Sequence, residues 1–451
     1  MQKKISKIVI AFLIIVCAWY GKNLDTWGKN KVIDNDVVSY YAYLPATLIF
    51  HDLGFSFLKD LPPDFEGKIW VQEAPSGKPV LRMTMGLSLL WLPFFTVAHL
   101  AAKAMGVSAL GYSWPYSLSI FVAAVFYLFL GLFYLRKILL VYFSETITGI
   151  TLLLIVLGTN LMYYVISEPG MSHVYSFALI TIFLYYTLQW VEKPGFLVSA
   201  VLGFLGGLII LIRPVNGLVL VFPLLVSVRS FSQLVQRIGG RWKQIAWAGI
   251  VALLVVTPQL VYWKTQTGHF VFNSYMDSGR FYFLKPHILN GLFSFRKGWL
   301  IYTPLMIFAV FGLLVMKKYA GGLRLATVVF LALFIYVVFS WWCWWYGGSF
   351  GSRPMIETYG ILAVPLAASL SVCLKNGRWK KIITGIFLFF FILLNQFQMK
   401  QYRTSLLHWD SMTRKAYQSI FFNRHWPEGY EKLIQAPDYE KALKGEKEYG
   451  Y

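Results

Sequence analysis

The sequence predicts an all-α, polytopic integral membrane protein, and three observations carry that prediction. Of 451 residues, 57% are hydrophobic and 14% charged, with a mean hydropathy of +0.58, whereas a soluble domain carries about 25% charged residues. The apolar runs are long and continuous, near the ~20 residues a helix needs to cross a bilayer. They do not alternate over ~10-residue segments as the strands of a membrane barrel do. Lys and Arg outnumber Asp and Glu by 41 to 20 and gather in the short connections between runs. The net charge of +21 therefore reads as positive-inside bias and not as a nucleic-acid surface. A soluble enzyme, a disordered chain and a disulfide scaffold are excluded.

The elements follow in order. Lys3, Lys4 and Lys7 lead into the apolar run 6–20. No small-x-small cleavage site follows, and Val16 is a poor residue before a lipidated cysteine, so the segment reads as a retained signal anchor with its N-terminus in the cytoplasm. Further spans are expected at 115–135, 147–166, 172–190, 196–212, 215–228, 245–263, 299–316, 323–341, 356–374 and 380–398, about eleven in all. The apolar run 84–104, which contains Pro93, sets the sidedness of everything after it. If it does not cross, Arg136, Lys137, Lys193, Arg229, Arg237, Arg241, Lys243, Lys317, Lys318, Arg324, Lys375, Arg378, Lys380 and Lys381 all face the cytoplasm. The outer connections 167–171 and 342–355 then hold Arg353 alone. If it crosses, that pattern inverts. The run is therefore expected to lie in the interface or to re-enter.

Residues 1–398 are expected to form the transmembrane domain, with outer loops at 21–113 and 264–298, and residues 399–451 an outer extension. Cys17, Cys343 and Cys373 show no CxxC and no zinc spacing and read as packing residues. No internal repeat is visible, which argues against a transporter built from two related halves.

Chemistry-bearing residues fall on the outer side. In the first outer loop, Asp34 and Asp36 precede an apolar stripe over 37–50 that includes Tyr40 and Tyr41. Asp36 reads as a helix N-cap, as a carboxylate that takes a proton from an acceptor hydroxyl, or, with Asp34, as a D-x-D pair for a divalent cation such as Mg or Mn. In SEPGMSHVYSF, Glu168 and His173 sit in a turn too short to leave the membrane surface; an acid there points to function. In ILIRPVNG, Arg213 stands between two apolar runs beside Pro214, Asn216 and Gly217, and its fork suits phosphate. In WYGGSFGSRPMIE, Gly-rich backbone leads into Arg353, with Tyr346 before it and Glu357 one turn on to orient the arginine. Such a turn suits a phosphate or sugar cradle. The loop 264–298 adds Arg280 among other polar and aromatic residues.

The segments DNDVVSYYAYLPA, SEPGMSHVYSF and GGSFGSRP, with the acidic first outer loop and the many spans behind it, resemble the C-type fold glycosyltransferases. These include the protein O-mannosyltransferases and the lipid A aminoarabinose transferase. The resemblance covers roughly residues 1–400 in layout. It implies a polyprenyl-phosphate sugar donor, and a lipid, glycan or protein acceptor at the outer face of the cytoplasmic membrane. It carries the catalytic acid position onto Asp36, with Asp34 as alternate, and the second acidic position onto Glu168. It implies that Arg213 and Arg353 hold the donor phosphate, while Tyr40, Tyr41, His173, Asn216, Tyr346 and Arg280 are the candidates for substrate contacts. A polysaccharide polymerase or ligase, a lipid or glycan transporter, and a membrane scaffold are the competing readings.

Overall fold

The computed structural model describes residues 4–29, 31–62, 68–375 and 377–446. Lys3 and residues 447–451 of the extension lie outside them. The regular secondary structure of the described residues is helical apart from one hairpin, β1 (Gln72–Glu73) and β2 (Pro79–Val80), paired antiparallel. Its helices run in chain order: α1 (Ile5–Leu24), α2 (Asp36–Tyr41), α3 (Tyr43–Leu48), α4 (Gly86–Ala104), α5 (Trp114–Tyr142), α6 (Glu145–Leu157), α7 (Leu161–Ile166), α8 (His173–Glu192), α9 (Phe196–Ile212), α10 (Phe222–Leu225), α11 (Phe231–Gly240), α12 (Trp242–Thr267), α13 (Ile288–Phe293), α14 (Trp299–Tyr302), α15 (Met306–Val315), α16 (Lys317–Val338), α17 (Tyr359–Cys373), α18 (Arg378–Arg403), α19 (Arg414–Ser419) and α20 (Tyr439–Lys444). Two 3-10 segments, Pro214–Val221 and Arg353–Thr358, lead into α10 and α17.

Eight helices among the described residues are long and apolar enough to cross a membrane, and four shorter apolar ones accompany them. The protein is thus a multi-pass, all-helical membrane protein. The expected runs match seven of the eight and the four short ones, with local differences. The run 147–166 breaks at Gly158–Asn160 into α6 and α7, and the run 299–316 breaks after Tyr302 into α14 and α15. In both cases a side-chain amide of α18 takes a freed carbonyl: Gln396 Nε2 donates to the Leu157 carbonyl at 2.8 Å, and Asn395 Nδ2 donates to the Tyr302 carbonyl at 3.4 Å. Backbone at membrane depth needs such internal partners.

The eighth helix is α4. Its first residue packs against the backbone of Leu211 and Ile212, just before Arg213. Farther along, His99 Nδ1 lies 2.6 Å from the hydroxyl of Tyr116, at the start of α5. The connection back to α5 returns to α2, where Tyr41 donates to the Gly111 carbonyl. Gly86 thus meets the C-terminal end of α9, and His99 the N-terminal end of α5.

The remaining layers pack pairwise. α5 runs along α8, α9 along α12, and α15 along α17, while α1 sits against α6. Cys17 and Cys343 are buried and Cys373 half-buried, all as free thiols.

Candidate functional site

Three separated stretches and two loops converge at the end of the stack that holds α2 and α4. They enclose a cavity of about 480 Å³ lined by Asp36, Tyr40, Ser172, His173, Arg213, Tyr346 and Arg353, and by Arg82, Trp263, Tyr275, Trp341, Trp342, Cys343 and Tyr439 among others. That volume suits a small ligand or the head group of a larger one.

Asp36 is the first residue of α2. Asn35, with φ of 50°, holds the cap position, so Asp36 is not the helix cap. Its carboxylate meets Arg353 Nη2 at 3.2 Å and stays 35% exposed, open to the cavity. Arg353 opens a 3-10 segment after a Gly-rich turn in which Gly347 and Gly351 are left-handed (φ 63° at each). At Gly351 a Cβ would stand 2.9 Å from the Cβ of Tyr302, so only glycine lets the turn close against α14. Tyr346 is itself left-handed, with φ 58°. Its hydroxyl donates to the Val338 carbonyl at 2.8 Å, and its ring lies 5.6 Å from the Arg213 guanidinium, so the strained backbone holds a cation–π partner in place.

Glu357 was expected to orient Arg353. Instead it accepts from Arg213 Nη1 at 2.7 Å and lies 3.2 Å from His173 Nδ1, both through Oε1, with no exposure of its side chain. One turn of 3-10 helix points residues 353 and 357 at different partners. A carboxylate accepts only, so Nδ1 of His173 carries the proton at that contact. Two buried atoms of this group, His173 Nε2 and Glu357 Oε2, have no protein partner.

Glu168 lies beside the cavity, in the α7–α8 turn, and accepts from the Tyr163 hydroxyl at 2.7 Å. Burial raises its carboxyl above the usual range, against the pull of Tyr163, Arg353 and Lys297. Lys297, also buried, donates to the Ser349 carbonyl and faces the Tyr402 ring at 5.1 Å.

Four sequence candidates fall elsewhere. Asp34 is exposed, outside the cavity lining, and its Oδ1 accepts from the Asn35 amide at 2.8 Å. Tyr41, on the opposite face of α2 from the cavity, packs against Trp91, Phe95 and Tyr112. Asn216 is buried and donates to Ser176 Oγ at 3.1 Å. Arg280 folds onto the carbonyls of Asp277, at 2.9 Å, and Leu443, at 3.4 Å, tying loop 264–298 to the extension. Asp36 is the one carboxylate among the lining residues, and no group of three or more His, Cys, Asp or Glu able to hold a metal occurs among the described residues. A divalent ion shared by Asp34 and Asp36 does not fit this arrangement, since Asp34 stands outside the cavity that Asp36 lines.

Several lining residues were not picked out from the sequence. Arg82 follows the hairpin, its guanidinium 5.8 Å from the Tyr275 ring. The Gln72 amide, turned so that its oxygen faces Arg82, accepts from Arg82 Nε at 2.8 Å. Tyr439 reaches the cavity from α20 and donates to Asp410 Oδ2 at 2.9 Å. Cys343, read as a packing residue, also lines the cavity. The lining is thus rich in donors, with three guanidinium groups facing one carboxylate, and suits an anionic ligand.

No protein-family model matches the chain, and no curated protein matches it. Among solved structures, the chain is similar to the Archaeoglobus fulgidus oligosaccharyltransferase in its apo form, at 13% identity and a TM-score of 0.45. The match covers 98% of this chain and 61% of that one, so the chain spans about three fifths of the length of the structure it matches.

Proposed function

We propose that the protein is a membrane glycosyltransferase that moves a sugar from a polyprenyl-phosphate donor to an acceptor hydroxyl at the outer face of the cytoplasmic membrane. The observation that carries this reading is the pairing of Asp36 with Arg353 on the wall of a cavity that Arg213 and Arg82 also line. The donor phosphate takes Arg213 and Arg353. As it engages Arg353 it competes with Asp36 for the guanidinium, and a carboxylate that loses its counter-charge becomes a better proton acceptor. The acceptor oxygen attacks the anomeric carbon from the face opposite the phosphate, and its proton passes to Asp36. The bond from that carbon to the phosphate oxygen breaks, and its electron pair leaves on polyprenyl phosphate. The arginines stabilise the charge that develops there. The sugar is transferred with inversion. Acceptor class, whether lipid, glycan or protein, is open in this reading.

The test is a transfer assay in nanodiscs with radiolabelled undecaprenyl-phosphate sugars and a crude envelope extract as acceptor, with and without EDTA. Asp36→Asn is expected to lower the rate at least a hundredfold, the order of a positioned proton acceptor's contribution (~10²–10⁴-fold), at unchanged melting temperature. Transfer by Asp36→Asn at the wild-type rate sinks the assignment. A polymerase or ligase reading draws on loop 264–298, which lines the cavity from Phe272 to Phe281. Products extended by whole oligosaccharides in place of single sugars select it.

A further inference from the structure

Arg82 differs from the other two arginines of the cavity lining in what holds it. Arg213 pairs with Glu357 at 2.7 Å, and Arg353 with Asp36 at 3.2 Å. Among the described residues no carboxylate forms an ion pair with Arg82. Its tether is neutral. The Gln72 amide, with its oxygen toward Arg82, accepts from Nε at 2.8 Å and from Nη2 at 2.5 Å, and its nitrogen donates to the Ser274 carbonyl at 2.8 Å. Ser274 Oγ donates to the Arg82 carbonyl at 2.5 Å, and the guanidinium lies 5.8 Å from the centre of the Tyr275 ring. The hairpin and loop 264–298 thus aim the fork together and supply no counter-charge. Arg82 is exposed and lines the cavity, so a ligand in the cavity reaches the guanidinium directly. A guanidinium held ready with its charge unspent suits a phosphate or a carboxylate, and its ordering precedes the ligand.

We infer that Arg82 forms a second anion site in the cavity, and that this site takes an anionic group of the acceptor, a phosphate or a carboxylate, apart from the hydroxyl that attacks. This rests on the donor reading above. There the donor brings one phosphate, which Arg213 and Arg353 take, and the attacking hydroxyl goes to Asp36. Arg82 stands between the hairpin and α4, on a tether of its own, and its charge is left for the second substrate. The site therefore selects anionic acceptors over neutral ones. Gln72 is on this account a positioning residue, which aligns the fork without neutralising it.

The experiment uses the full chain in nanodiscs. It measures dissociation constants for glucose 6-phosphate and for glucose, each with undecaprenyl phosphate at saturation, and for undecaprenyl phosphate and undecaprenyl diphosphate alone. Wild type is expected to bind glucose 6-phosphate at least about tenfold more tightly than glucose, the order of one hydrogen bond to a charged group. Arg82→Gln is expected to bring that ratio near one, with both undecaprenyl lipids bound as by wild type. Arg82→Lys keeps the charge and part of the ratio. Gln72→Glu leaves Arg82 in place but gives it a carboxylate, and it lowers the ratio as Arg82→Gln does. No binding of glucose 6-phosphate by wild type, equal binding of the two sugars, a ratio unmoved in Arg82→Gln, or weaker binding of undecaprenyl phosphate in that variant each overturns the inference. A loss in Arg82→Gln confined to undecaprenyl diphosphate gives the charge to a second donor phosphate and overturns it too. Failure of wild type to bind undecaprenyl phosphate sinks the donor reading, while an Arg82-dependent preference for glucose 6-phosphate in the same preparation upholds the anion site.

Discussion

Charged side chains under the surface of this protein come in linked sets, and Lys297 belongs to the set next to the cavity. Burial pushes its ammonium down to about 7, against the attraction of Asp410 and Glu168 and with the repulsion of Arg353 and Arg296. An unfolded lysine holds its proton to about pH 10.4. Between those values the unfolded chain binds more protons than the folded one, so stability rises with pH across that window. Below about 7 the folded protein carries the charge at full cost. Lys297→Met is therefore expected to raise the melting temperature in detergent most at pH 6, with the gain shrinking from pH 7 to 10. A gain independent of pH shows that Lys297 is not titrating there. At this scale the sequence told which residue types stood at the right end of the molecule, but not which partners they took. Asp36, His173, Arg213, Tyr346 and Arg353 meet at one cavity. Yet Glu357 serves Arg213, and Tyr41 turns into the core, because one turn of helix decides which way a side chain points. Arg82 gave no signal, and Tyr275 stood out only as one of the polar and aromatic residues of loop 264–298. They reach the cavity through a hairpin and a loop, which carry no periodic pattern to read.

Glycines differ in how closely a neighbouring helix approaches them. In α15, a Cβ on Gly312 would run into the carbonyl of Pro365 in α17. In α12, Gly249 has open space around it. Alanine favours a helix interior by about 1 kcal/mol over glycine, while overpacking against a backbone costs about 1–3 kcal/mol. Gly249→Ala is thus expected to raise the melting temperature and Gly312→Ala to lower it. The same sign for both denies that α15 and α17 are in backbone contact. Element-level structure was the most legible part of the sequence, since apolar length alone marks a span. The breaks inside the runs 147–166 and 299–316 were invisible to it. Each is met by a distant amide of α18, Gln396 on the Leu157 carbonyl and Asn395 on the Tyr302 carbonyl. The distribution of basic loops read the run 84–104 as interfacial or re-entrant, while by length and composition α4 is one of the eight helices able to cross.

At the scale of the whole molecule, the extension is packed onto the site's far wall. Helix α18 continues to Arg403, past the expected boundary at 398. Beyond it, Asp410 and Tyr439 meet, Tyr439 stacks edge-on with Trp345 at 5.4 Å, and Tyr282 donates to the Leu443 carbonyl at 2.6 Å. Deleting residues 436–451 is expected to leave the helical stack folded, with a melting temperature within about 3 °C of wild type, and to weaken undecaprenyl phosphate binding several-fold. A large drop in melting temperature with binding intact reverses that assignment. Asp36 and Tyr439 face one cavity although nearly the whole described chain separates them. A ribosome therefore delivers the first carboxylate of the site long before the residue that closes its far side. Until the last span is threaded and α20 has swung back, the nascent chain holds a half-built vestibule, and the cavity closes in one late step.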